Sequence, residues 1–244
     1  MASTLITTAD SDSYLQSLVA AAHELKTPLA IIAHLASALE DDSLATPQQR
    51  QVSLQRIQLS AERTLRLIQG LTTSYRIGDD QLRFALNLQP INVTQVCEEV
   101  AHEILPFANV QSQSLELYLG QRSQLVVGDK ELLHSILFNL LDNAFRHTPP
   151  ETTVSMHIRR RSEVVRVCVH DSGPGVQPSD MSRLKQRLGR QPQPIVTRSS
   201  GSGLGLYIAQ QLADAMGGRL GVGTVKSGAD FHVDLLHSRQ LSLV

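Results

Sequence analysis

Apolar residues in the first third of the chain recur every three or four positions. From Leu15 they fall at Leu15, Leu18, Ala22, Leu25, Leu29, Ile32, Ala36 and Leu39, a heptad seam that predicts a long helix buried along one face against other helices. Ser13 and Gln16 have the spacing of a capping box and mark its expected start. After the acidic turn Glu40, Asp41 and Asp42, the residues Thr46, Pro47 and Gln49 combine a second capping box with proline at the first helical position. The seam resumes at Leu54, Ile57, Ala61, Ile68, Leu71 and Tyr75, with polar Thr64 in one seam position, and stops at the breaker Gly78, Asp79 and Asp80. An antiparallel helical hairpin follows. Two helices alone leave apolar surface in water, and pairing two hairpins into a four-helix bundle removes it, so a homodimer is expected.

Beyond Gly78 strands and helices mix. Strands are expected at 84–88, 115–119, 125–127, 154–158, 164–169, 219–224 and 231–235. Helices are expected from about Asn92, from Asp129 and from Leu204 to Met216. Phe231, Val233 and Leu235 show the period of two of a half-buried strand. Helices segregated over a mixed sheet make an α/β sandwich, so the expected organisation is a helical hairpin over residues 1–80 and an α/β domain over 81–244.

A chain of 244 residues accommodates two such units with a sizeable core. Hydrophobic residues make up 41% and charged residues 18%, yet no run approaches the ~18 apolar residues of a membrane helix, so no membrane segment is expected. Twenty-two Lys plus Arg against 23 Asp plus Glu leave a net charge of −1, which argues against nucleic acid as a partner. Cys97 and Cys168 have no metal-ligand spacing and no N-terminal signal pattern is present, which fits a cytoplasmic location.

Three segments of the second part look like one site. Asn139 and Asn143 stand four apart on one helix face, with Arg146 and His147 a turn further, and carboxamides on so apolar a helix call for a polar neighbour such as a hard cation. Asp171, at the end of a strand and followed by Ser172, Gly173, Pro174 and Gly175, is a pure acceptor suited to the exocyclic amino group of adenine. The glycines let a flat base approach the backbone. Gly201, Gly203 and Gly205 precede the last helix, where free amides and the helix dipole favour phosphate. No GxxxxGK sequence occurs, which excludes a P-loop.

The strings AHELKTPL at 22–29, NLLDNAFRH at 139–147, DSGPG at 171–175 and GSGLGL at 201–206 resemble the sensor histidine kinases of two-component systems. Their catalytic domain has the Bergerat ATP-binding fold. The resemblance implies that Asn143 with Asn139 would bind Mg²⁺ and phosphates, Arg146 and His147 would line the phosphate side, and Asp171 would read adenine. Gly173, Gly175, Gly201, Gly203, Leu204 and Gly205 would complete the ATP cradle. The basic segment between Gly175 and Gly201 corresponds to the ATP lid, where Arg187 and Arg190 would neutralise triphosphate charge. This segment departs from the family: LKQRLGR at 184–190 stands in place of the usual phenylalanine-rich motif, with Lys185 and Leu188 where aromatics are expected.

The same resemblance makes His23 the phosphoacceptor. His23 lies beside seam residue Ala22, so its imidazole is expected to face outward, and a neutral imidazole nitrogen can attack a γ-phosphorus. Glu24 would take or orient the ring proton. Thr27 shares the face of His23 and would position water for hydrolysing a partner's aspartyl phosphate, while Pro28 should bend the helix just beyond. The expected activity is therefore ATP- and Mg²⁺-dependent autophosphorylation of His23 followed by transfer to an aspartate of a response regulator receiver domain. The chain would be a soluble kinase or the cytosolic part of a larger sensor. Two alternatives use the same residues: a Bergerat-fold ATPase or protein-serine kinase, and a phosphatase-biased or non-enzymatic dimeric scaffold.

Overall fold

The computed structural model of the protein describes residues 8–40, 46–78, 86–120, 123–177, 181–182, 184–185, 188, 203–223, 225 and 227–238. They form two compact units, one built on two long helices and the other on a mixed sheet.

Helix α1 spans Thr8–Glu40 and helix α2 spans Pro47–Gly78. The start of α1 corrects an expectation. Ser13 lies inside the helix rather than at its cap, because no Gly or Pro between Thr8 and Ser13 breaks the backbone and helix simply propagates to Thr8. The second capping box is as expected: Gln49 N donates to Thr46 Oγ1 at 3.2 Å, and Thr46 N donates back to Gln49 Oε1 at 3.1 Å. Thr64 is tolerated in the seam because its hydroxyl returns to the Ser60 carbonyl at 2.7 Å, satisfying its polar group within its own helix. In the single chain Leu29, Leu54, Ile68 and Tyr75 remain 52%, 58%, 43% and 65% exposed.

Beyond the hairpin come strand β1 (Gln89–Asn92), helix α3 (Val93–Val110), strands β2 (Ser114–Tyr118) and β3 (Leu125–Gly128), and helix α4 (Lys130–His147). Strands β4 (Thr153–Arg161) and β5 (Val164–His170), helix α5 (Leu204–Ala215), and strands β6 (Arg219–Gly223) and β7 (Asp230–Leu236) complete this part of the chain. The sheet order is β2-β4-β5-β7-β6, all antiparallel except the β2–β4 pair, and β1 pairs with β3 in a separate ribbon. The first expected strand is displaced. The run at 84–88 falls partly outside the described residues, 86–88 are not strand, and β1 begins at Gln89, where register with Leu125–Gly128 supplies the ladder that apolar content alone does not.

Helices α3 and α4 pack together and over the sheet. Asn92 caps α3, its side chain accepting from Thr94 N at 3.1 Å, and Asp129 caps α4, accepting from Glu131 N at 3.0 Å and Leu132 N at 3.3 Å. Buried Val93, Val96, Cys97, Val100, Ala101, Ile104 and Ala108 make the inner stripe of α3, and Val154, Met156, Val165, Val167, Val233 and Leu235 meet the core from the sheet. Burial pushes the Cys97 thiol up to about 12, and the Cys168 thiol, on β5, up to about 11.

The opposite face of the sheet is polar. Arg166 grips Asp234 across β5 and β7 with two bonds of 2.6 Å, and burial is the main cause that holds His157 and His232 below the ordinary imidazole range. His232 lies over Gly221 and Asp230 over Gly223, so the side chains of β7 cover a neighbouring strand that carries none there. No described helix is long and apolar enough to cross a membrane.

Candidate active site

Helix α4 is buried at Leu132, Leu133, Ile136, Leu137, Phe138, Leu140, Leu141, Ala144 and Phe145. Among these positions Ser135, Asn139, Asn143 and His147 recur every four residues as a half-buried polar stripe, which is the spacing that stacks side chains along one helix face. The stripe lies against two other segments, at Asn139 and at His147. Asn139 donates from Nδ2 to the Ser135 carbonyl at 2.8 Å, and its Oδ1 faces Gly205 in the first turn of α5, where an added Cβ would approach that oxygen to 3.3 Å. The His147 carbonyl lies directly against Gly173, and any side chain at Gly173 would collide with it.

Asp171 is 3% exposed. Its Oδ1 accepts from Gly173 N at 2.9 Å and Ala229 N at 3.3 Å, and its own amide donates to the Ala229 carbonyl at 3.0 Å. Both described side-chain bonds engage Oδ1 rather than Oδ2. Burial pushes the carboxyl above the usual carboxylate range, and the amides of Gly173 and Ala229 partly offset this. Gly228, at φ 75, passes directly over the Asp171 carbonyl, where no larger residue fits.

The expected ATP-site residues Asn139, Asn143, His147, Asp171, Gly173 and Gly205 are thus drawn from three segments of one unit. Arg146 is exposed at the end of α4, and Gly175 and Gly203 carry φ values of 72 and 67. Gly201, Arg187 and Arg190 lie outside the described residues. In the basic segment expected to be the lid, Lys185 is exposed, whereas Leu188, at a position where the resemblance leads one to expect an aromatic, is buried together with Leu184. Sequence reasoning missed Gly228 and Ala229, which act through backbone alone. On α1, His23 and Thr27 are exposed and Glu24 half-buried, in a helix that runs unbroken through Pro28.

Residues 15–79 match the family described as the His Kinase A phospho-acceptor domain, and residues 128–239 match the family of histidine kinase-, DNA gyrase B- and HSP90-like ATPases. The two matches occur in the order in which His23 and Asp171 occur. The chain belongs to the sensor histidine kinase family. As a family member it is 33% identical over 210 residues to the sensor protein SphS of Synechococcus elongatus, covering 82% of this chain and 48% of SphS. It resembles the crystal structure of full-length ShkA in complex with AMPPNP, with a TM-score of 0.59 and 27% identity, over 91% of this chain and 46% of ShkA. Histidine kinase ThkA, solved in complex with the response regulator protein TrrA, shares the fold at a TM-score of 0.59 and 18% identity, over 89% of this chain and 60% of that one. This histidine kinase chain spans about half the length of the curated relatives it matches. None of these likenesses supports the serine-kinase or scaffold alternatives.

Proposed function

We propose that this chain binds ATP at Asp171 and α4, autophosphorylates His23, and passes the phosphoryl group to an aspartate of a response regulator receiver domain. The observation that carries this reading is the contact of the α4 stripe with the Asp171 loop at Gly173, which sets a phosphate-facing helix end beside a base-reading carboxylate. The unprotonated imidazole nitrogen of His23 attacks the γ-phosphorus as the bond to the ADP oxygen breaks. Glu24 accepts or orients the proton on the other ring nitrogen, and ADP leaves. Arg146 and His147 face the phosphates from the end of α4. Gly203, Leu204 and Gly205 supply the amide-rich start of α5, and Arg187 and Arg190 supply lid charge.

The donor set fits Mg²⁺: Asn143 offers a half-buried amide oxygen on the site face of α4, and Asn139 Oδ1 points toward α5 from one turn away. The ion would neutralise charge developing on the phosphates. Asn143→Ala is expected to lower Mg²⁺-dependent ATP binding and labelling by about tenfold or more, since a hard cation depends on ligand count, while the dimer persists. Wild-type labelling in that variant would remove Asn143 from the site. The exposed seam residues Leu29, Leu54, Ile68 and Tyr75 support a homodimer through the hairpin of residues 1–80, with 81–244 as the catalytic domain. The placement is cytoplasmic, as the cytosolic part of a larger sensor. Incubation with γ-labelled ATP and Mg²⁺, followed by an acid-stability test of the label, is the direct test; an acid-stable label or none overturns the reading.

Thr27 is assigned to the reverse activity, removal of phosphate from the regulator. Unlike Thr64 and Thr72, whose hydroxyls return to the Ser60 and Ile68 carbonyls at 2.7 and 2.8 Å, Thr27 makes no such bond among the described residues. Its hydroxyl is available to hold water one helical turn from His23. In a paired assay, Thr27→Ala should retain autophosphorylation, and regulator dephosphorylation should slow by about tenfold or more. Equal effects on both activities would remove this role.

A further inference from the structure

We propose that Gln113, in the turn between α3 and β2, is a positioning residue for the nucleotide site, acting through the last turn of α4; this rests on reading that site as an ATP site. The final carbonyls of a helix have no partners within it, and a buried helix end needs donors from elsewhere. At the end of α4 one is local: Thr148 Oγ1 donates to the Ala144 carbonyl at 2.6 Å. The others come from a distant segment. Gln113 is 5% exposed, and its Nε2 donates to the Phe145 carbonyl at 3.0 Å and the Thr148 carbonyl at 2.7 Å, with the Pro149 carbonyl at 3.3 Å.

The amide orientation is fixed by chemistry, because the reversed amide would set its oxygen against three carbonyls. Its Oε1 is buried and has no partner among the described residues, so an amide here carries an acceptor that they leave uncompensated. Only its two donors give it a use at this position. The turn that delivers it is held from both sides. Gln113 N donates to the Ala108 carbonyl at 3.0 Å, Ser112 adopts φ 55, Glu151 N donates to the Ser112 carbonyl at 3.1 Å, and Ser114 N to the Thr152 carbonyl at 3.0 Å.

What Gln113 holds is one wall of the site. The α4 turn it caps carries Arg146 and His147, the His147 carbonyl abuts Gly173, and the Gly173 amide is bonded to Asp171 Oδ1. Releasing the turn moves the surface against which the base-reading loop is seated. Gln113 touches neither nucleotide nor His23 in this scheme.

The test is ATP affinity of the full chain by calorimetry, well below the unfolding transition, beside the melting temperature. Gln113→Met keeps the size and removes both donors, and the dissociation constant for ATP should rise about tenfold. Gln113→Leu, which likewise offers no donor and buries no charge, should show the same loss and serves if the Met variant does not fold. Gln113→Lys restores donors at a helix C-terminus, where a cation is favoured, and should bind ATP within about threefold of wild type. A lower melting temperature with unchanged affinity would make Gln113 merely structural and overturn the proposal. Asp171→Asn is measured alongside. Loss of affinity there with none in the Gln113 variants overturns the role of Gln113 alone, and unchanged affinity in all of them overturns the reading of the site as well.

Discussion

Replacing His23 by Gln is expected to abolish acid-labile labelling from γ-labelled ATP while ATP affinity stays at the wild-type value. The effect is all-or-none because a carboxamide nitrogen has no lone pair free to attack phosphorus, whereas the imidazole has one in the plane of the ring. The side chain is exposed on α1, so the substitution neither buries a polar group nor leaves a cavity, and the helix should keep its stability. Labelling that survives in His23→Gln would place the acceptor elsewhere, and loss of ATP affinity would mean that the two units communicate through this side chain.

Asp171→Asn should have the second largest effect, and its direction follows from two backbone bonds. The amides of Gly173 and Ala229 both donate to Oδ1, so an asparagine must turn its own oxygen to that position and present Nδ2 where Oδ2 stood. The edge proposed to accept from adenine then donates instead. Loss of a charge-assisted bond together with opposition of two donors should weaken ATP binding by about 2 to 3 kcal/mol, and preference for ATP over GTP should shrink, since guanine offers a carbonyl there.

Stability should move the other way. A carboxyl raised above its unfolded value by burial contributes stability that is complete at low pH and is lost as pH rises through its folded pKa. At neutral pH the ionised group therefore costs the fold, and neutral Asn should melt at or above the wild-type temperature without nucleotide. A variant that lost ATP affinity and also melted lower would place Asp171 in the scaffold rather than at the base.

The helices were legible because a seam spaced three and four leaves no other reading, and Asp129 and Thr46 announced their helix starts through side-chain oxygens that must cap something. β1 was not. Gln89–Asn92 contains Pro90 and just one buried apolar residue, Ile91, and exists because β3 supplies its ladder, whereas the more apolar run before it looks like the better strand. In the site, Asp171 and Gly173 were visible as a carboxylate and a glycine closing a strand. Gly228 and Ala229 were not, because an amide donor and a missing Cβ leave no chemical label in a sequence. Gln113 lies 32 residues from the first carbonyl it caps, and nothing in the local pattern around it indicates that its amide turns inward. Asn139 was legible as a residue but less so as a role, since its Nδ2 is engaged by its own helix and its oxygen alone is turned toward α5.

The two buried thiols give the second unit an internal clock. Thiolate is the reactive form, and burial both hides the two sulfurs and raises their thiols, so alkylation is expected through opened molecules. Cys97 sits on α3 and Cys168 on β5, on opposite sides of the layer boundary. Cys168 pairs with His232 on the sheet face away from the helices, so when the unit opens only in global unfolding both sulfurs are modified with one denaturant dependence. A helix layer that lifts by itself exposes Cys97 first, and the ratio of the two rates then measures the free energy holding α3 to the sheet.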